Sequence, residues 1–468
     1  MISGVSRGGV TRCLPSALPL LFMLLGSGCD PEGYPTDLKY PTRTDIIVNG
    51  EKVRDEKVFH PDSPGQLDES LLAFKAKCDK DHNGEAFDAS KLKPKDRQEI
   101  DKSLRKHFGT PAEPCVVIAD TGDSAVDRSF QTALAVLQVD DKAELAEGSK
   151  LYRRHCLHCH GVTGNGRGPT AAWVHPHPRD YRKGQFKFIS TGRNAPSRAD
   201  LRRILKSGID YTSMPSFGLL ADEELDRLIS YVIHLSLRGQ AEEATMTKLL
   251  NNQQLKVDDE EVSIDVYLQD WVRFAVMKGD ETVLKFEDSK GWAAANQLPS
   301  LAPLASPPDS ENTRNEDIAK GYKLFIDKAG CMTCHDDFGR SARYKYDIWG
   351  TLVQPRNLTA GLYRGGRRPI DFFWRIRGGI KPSTMPGVDP TLGILTKAEK
   401  DQIDAMKAEG KPSTDIAKKR DELTDANIWR LVAFIQALPY PAMLEVPIDP
   451  KDPTKTVSAA VYPTPEKK

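Results

Sequence analysis

No apolar run in the chain reaches the roughly 20 residues that a helix needs to span a bilayer. The run from Leu14 to Leu25 falls well short, so a helical membrane span is excluded. Net charge is also missing: 66 Lys and Arg balance 66 Asp and Glu. The global number says nothing about partners, local fields being what counts; no nucleic-acid partner is expected. Cysteine is scarce, with eight in 468 residues, and no strand pattern precedes the two C-x-x-C pairs. That argues against a redox dithiol, which sits at a helix start in a βαβ setting. What is present, 39% hydrophobic and 28% charged residues, suits a globular chain of roughly two to four domains.

Charge is uneven locally. Residues 151–210 carry twelve basic and three acidic residues, and 341–381 carry nine and two. Residues 241–290 carry six and twelve. Two basic lobes thus flank an acidic middle, and local fields of this kind steer association with acidic partners. At the amino terminus, Arg7 and Arg12 precede the Leu14–Leu25 run and "GSGC". A charged stretch, a short apolar stretch and small residues form a secretory signal. The cysteine that follows resembles the lipid-attachment cysteine of bacterial lipoproteins, although Leu25 sits one position further upstream than usual. The expectation is a signal peptide over 1–28, lipidation at Cys29, and a chain anchored at the periplasmic face of the membrane. Cys78 and Cys115 are left over, and in an oxidising compartment they are candidates for a disulfide.

An internal repeat organises the rest. "AEGSKLYRRHCLHCHG" aligns with "AKGYKLFIDKAGCMTCHD", and "HPRDYRKG" with "QPRNLTAG". "LRRILKSGIDYTSMPSF" aligns with "FFWRIRGGIKPSTMPGV", and "DEELDRLISYVIHL" with "DANIWRLVAFIQAL", in the same order. The first and last blocks have helical spacing, with Asp222 and Thr424 as expected N-caps. The domains read as follows: a membrane tether and accessory region over 29–138, a first repeat region over 139–240, and an acidic helical linker over 241–313. A second repeat region follows over 314–440, then an extended tail over 441–468. Pro/Ser-rich sequence near 297–313 and a charged insertion near 388–420 separate the parts.

Each region carries C-x-x-C-H: Cys156, Cys159 and His160, then Cys331, Cys334 and His335. Structural zinc wants four closed ligands, and the second region has a single histidine. The spacing fits covalent haem c instead. Two thiols add to the vinyl groups on one porphyrin edge, and the next residue, histidine, lies under the iron. A second axial ligand is offered by Met214 and Met385, each followed by proline, 54 and 50 residues after its histidine. His/Met ligation gives low-spin iron with a raised potential and no vacant position. His175 and His177 are alternative ligands of lower standing; His155 and His158 should be exposed.

On these motifs the chain resembles class I c-type cytochromes, duplicated as in dihaem cytochromes c. The resemblance covers about half the chain. It implies a mainly α fold: two cytochrome c-like helical domains in tandem, with an N-terminal accessory segment and Pro-rich linkers. It implies two covalently bound haem c groups. It also implies a close crossing of first and last helices, Gly148 and Tyr152 against Tyr231, and Gly321 and Phe325 against Phe434. The family's proline whose carbonyl holds the ligating histidine would be Pro169 for His160. The second region has no such Gly-Pro, which leaves the orientation of His335 open. Arg179 and Arg356, downstream of Trp173 and Trp349, are read as haem-propionate partners. The function implied is single-electron transfer in a respiratory chain. The donor would be a quinol-oxidising complex or a dehydrogenase, and the acceptor a terminal oxidase or another cytochrome. The rival class is a dihaem redox enzyme, peroxidase-like or a small-molecule dehydrogenase, which needs an open or unusual axial position.

Overall fold

Short polar side chains set where the helices begin. The computed structural model describes residues 38–48, 86–191, 196–288, 311–341, 345–346, 352–380, 383, 385–388 and 394–463. The expected leader, Cys29, Cys78, Trp349 and most of the Pro/Ser-rich stretch lie outside these. Helix α1 spans Pro94–Phe108, with proline at its first position, where a missing N–H costs nothing. Helix α2 spans Ser124–Leu137 and α3 Lys142–His155; Asp123 and Asp141 each accept two backbone N–H groups at their starts. Helix α4, Arg198–Ser207, opens on a Ser197/Asp200 capping box. Helix α5 spans Asp222–Leu250 and α6 Ile264–Asp288. Helices α7, Glu311–Lys323, and α8, Pro369–Gly378, follow. Helices α9, Lys397–Ala408, α10, Ser413–Ala437, and the short α11, Val457–Val461, complete the set.

Two capping expectations change. Asp222 is the first helical residue, and the Glu224 carboxylate accepts the Ala221 N–H at 2.9 Å instead. Thr424 lies inside α10, fully buried, because that helix starts well upstream of the repeated block.

Helices α3 and α5 cross in the first repeat region, and α7 and α10 cross in the second. Both crossings turn on a glycine. A Cβ on Gly148 would lie 2.2 Å from the Arg227 carbonyl oxygen and 3.1 Å from Tyr231 Cβ. A Cβ on Gly321 would lie 2.0 Å from the Arg430 carbonyl oxygen and 2.9 Å from Phe434 Cβ. Beside each glycine, aromatic rings pack: Tyr152 and Tyr231 tilted at 5.2 Å, Phe325 and Phe434 edge to face at 5.3 Å between centroids. All four are fully buried.

The acidic stretch after 240 is not a linker throughout. Helix α5 runs on past it, burying Ala241, Glu242, Thr245 and Met246. Ile264, Leu268, Val272 and Val276 of α6 pack with Ile100, Leu104 and Phe108 of α1 and Phe130 and Leu134 of α2. This third cluster joins pieces of the expected accessory region to pieces of the expected linker. Their apolar faces meet.

The expected tether is likewise partly pinned. Tyr40 Oη and Tyr231 Oη are 2.8 Å apart. Arg43 pairs with Glu243 at 2.6 Å, and Asp45 with Arg182 at 2.7 Å. Strand β1, Ile46–Val48, pairs antiparallel with β2, Ala86–Asp88. The Arg182 and Arg43 guanidiniums hold the Asp45 carboxyl well below its ordinary range despite burial. The tail after 440 is not simply extended: Leu444, Val446, Val457 and Val461 are buried in the core of the second region. Among the described residues, no helix is long and apolar enough to cross a membrane.

The crossing glycines define a test. Gly148→Ala should cost about 3 kcal/mol, at the upper end for overpacking, because the obstacle is backbone. Thermal unfolding should show the loss, and Gly122→Ala, where a Cβ meets nothing within 4 Å, provides the contrast.

Candidate functional site

Helix α3 ends at His155, and the chain makes a single further turn, Leu157–His160. The His160 N–H donates to the Cys156 carbonyl at 2.9 Å, and the Cys159 N–H to the same oxygen at 3.2 Å. The second region repeats this: His335 N–H to the Cys331 carbonyl at 2.9 Å and Cys334 N–H at 3.2 Å. Both C-x-x-C-H segments therefore share one local fold. Burial pushes the Cys156 and Cys331 thiols up to about 12. Such thiols are protonated at neutral pH, the opposite of a reactive redox pair.

Both histidines are held the same way. His160 Nδ1–H donates to the Arg179 carbonyl at 3.0 Å, and His335 Nδ1–H donates to the Arg356 carbonyl at 3.1 Å. A carbonyl can only accept, so the proton sits on Nδ1 and Nε2 is left with its lone pair. Burial pushes the His160 imidazole down to about 4 and lowers that of His335. Both rings are thus neutral at pH 7. This corrects the expectation for Pro169, which is exposed and is not the acceptor. It also answers what orients His335. Each Pro-Arg segment does the work through its main chain, 19 residues after His160 and 21 after His335. That near-constant spacing was the available sequence signal. The Tyr181 ring also stacks on His160 at 4.6 Å, a contact the sequence did not suggest.

The methionine turns match as well. Ile209 N–H donates to the Met214 carbonyl at 3.2 Å, and Ile380 N–H to the Met385 carbonyl at 3.1 Å. Met214 N–H meets Thr212 Oγ1 at 3.2 Å, and Met385 N–H meets Ser383 Oγ at 3.4 Å. The glycines that open the turns have φ +68 at Gly208 and +75 at Gly379. A Cβ at either position would fall 2.8 or 2.7 Å from the methionine carbonyl oxygen. Positive φ and close approach both demand glycine here.

The other candidates spread out. His158, His175 and His177 are exposed. His155 is half-buried rather than exposed, edge-on to Phe217 at 6.2 Å. Trp173 is 83% exposed. Arg356 Nε is buried with no acceptor among the described residues, and so is Arg364 Nε; Arg364 escaped the sequence reading. Cys115 is a half-buried free thiol. Among the described residues, no three His, Cys, Asp or Glu side chains gather as a metal cluster would require.

Fold and site together define the class: the chain carries a c-type cytochrome domain, and such a domain implies covalently bound haem c. The particular match is to the family model of cytochrome c oxidase, cbb3-type, subunit III, over residues 143–232. No curated protein matches the chain. Among solved structures, a chain of the reducing HAO-like protein complex of Kuenenia stuttgartiensis is similar at 19% identity. The similarity covers 62% of this chain and 95% of that one, with a TM-score of 0.38.

The turn glycines yield an expected outcome. Gly208→Ala and Gly379→Ala should each cost about 1–3 kcal/mol from the strained φ, read as a lowered unfolding midpoint. Gly410→Ala, with positive φ but open space, should fall at the low end of that range.

Proposed function

We propose that the protein is a dihaem c-type cytochrome that carries single electrons between membrane-associated or periplasmic redox partners. The supporting observation is the matched pair of sites. In each region a buried histidine has Nδ1 engaged and Nε2 available, and a methionine stands in a glycine-closed turn. The residues fit two haem c groups. Cys156 and Cys159 would hold one through thioethers, with His160 and Met214 as axial ligands. Cys331, Cys334, His335 and Met385 would hold the other. The buried, unpartnered Nε of Arg356 suits a propionate carboxylate, and Arg179 is its counterpart in the first region. When bound, haem c supplies an iron that takes up and releases one electron at a raised potential.

The chain's own part is positioning and shielding. The carbonyls of Arg179 and Arg356 fix the imidazole planes. The aromatic pairs at the helix crossings exclude water behind the sites. The Thr212 and Ser383 hydroxyls brace the turns that present Met214 and Met385. Two turns of the same build, each offering a methionine, would leave no open axial position and so favour a carrier over a catalyst. The basic stretches 151–210 and 341–381 would steer acidic faces of donor and acceptor. The donor would be a quinol-oxidising complex or a dehydrogenase, and the acceptor a terminal oxidase or another cytochrome. Cys29 would carry lipid and hold the protein at the periplasmic face of the membrane.

Haem counting tests this reading. The intact protein should contain two haems per chain by pyridine haemochrome assay, with two Met–iron charge-transfer contributions when oxidised. His160→Ala and His335→Ala should each remove one such contribution, and His158→Ala neither. A single haem, or high-spin iron in the oxidised protein, would overturn the reading. For the anchor, Cys29→Ser should move the protein from the membrane to the soluble fraction.

A further inference from the structure

The two repeat regions touch at equivalent positions. Arg203 of α4 and Trp374 of α8 stand the same number of residues ahead of their methionines. The Arg203 guanidinium carbon lies 4.6 Å from the centroid of the Trp374 ring. Phe188 and Gly365 likewise stand the same number of residues after Gly184 and Gly361, which close the aligned Pro-Arg blocks. A Cβ on Gly365 would lie 2.4 Å from the Phe188 ring, and Arg203 also donates to the Phe188 carbonyl at 2.6 Å. Contact between like positions is the mark of a local two-fold arrangement. The segment between the two aligned blocks, which follows the carbonyl holding each histidine, therefore faces its counterpart.

Cations collect along this seam. Arg356 and Arg364 come from the second region, and both place a buried Nε with no acceptor among the described residues. Burial first, then the neighbouring Arg356 charge, pushes Arg364 down to about 10. His175 comes from the first region, and both arginine charges bear on it. By contrast, Arg43 and Arg182 lie against Asp45, Asp180 and Glu243. A buried guanidinium nitrogen without an acceptor is costly, and a second cation nearby adds to the cost. A planar guanidinium fork suits a carboxylate, which accepts bidentate hydrogen bonds.

We propose that Arg356 and Arg364, with His175 from the other region, form a shared carboxylate site at the seam, and that its occupant is a propionate of the second region's haem. The proposal rests on the dihaem reading and deepens it. One region's histidine would then stand beside a group bound by the other, so the seam ties the surroundings of the second site to the packing of both.

The experiment is a redox titration of the full-length, haem-loaded protein. Arg356→Gln, Arg364→Gln and the double variant should keep two haems per chain, while the midpoint of one haem falls and that of the other stays in place. The direction follows from removing positive charge beside a carboxylate, which favours the oxidised iron. Arg364→Lys should restore most of the lost potential, because charge returns without the fork. His175→Gln should lower the same midpoint by less. Two unchanged midpoints in the double variant would overturn the proposal. A free anion as occupant is distinguished by titrating acetate at constant ionic strength. A wild-type midpoint that moves with acetate, and loses that response in the double variant, would replace the propionate by an exogenous carboxylate and overturn the assignment. Failure of the dihaem reading itself would show separately, as fewer than two haems in the unmutated protein.

Discussion

Everything around the two sites hangs on how closely two pairs of helices can approach. At Gly148 and again at Gly321 the partner backbone lies where a Cβ would be. That closeness lets Tyr152 and Tyr231, and Phe325 and Phe434, fill the angle between the helices with buried aromatic surface. In the first region the Cys-His turn leaves directly from the end of a crossing helix; in the second, the π-helical turn Leu324–Lys328 and Gly330 lead to it. A wider crossing would carry His160 away from Arg179 and His335 away from Arg356. Packing at the crossing thus decides hydrogen-bond geometry at the site.

Buried charge follows a second rule, and departures from it are informative. Arg43, Asp45, Arg182 and Asp180 form one paired set that pins residues 39–48 onto the body of the protein. In the second region, Arg356 and Arg364 bury an Nε without an acceptor among the described residues. Buried donors of this kind suit an anion. A haem carboxylate is of the right kind and suits the planar forks.

The two regions also differ in ways that a shared scheme conceals. Tyr181 stacks on His160, while Leu358 occupies the aligned place in the second region. After Cys334–His335 there is no glycine-rich loop. Instead Asp337 and Phe338 take φ of 50 and 53, and the Phe338 ring stacks against Tyr322 at 6.4 Å. Different ring contacts, different burial and different neighbouring charge are the levers that set one redox site apart from another in the same chain.

Local chemistry was legible in the sequence because it depends on neighbours along the chain. The crossing glycines and the helical periodicity read correctly from one-dimensional pattern, and the repeated C-x-x-C-H and Met-Pro segments fold into matching turns. The candidate tether, the acidic linker and the tail did not. Their apolar residues find partners far away, as when Ile264 and Leu268 meet Ile100 and Leu104, and no local period announces that. The same limit explains Pro169 and Arg179. Sequence could name a proline near the histidine, but only the folded chain decides which carbonyl arrives at Nδ1. A main-chain acceptor has no side-chain signature, and its place is set by the path of the loop that carries it.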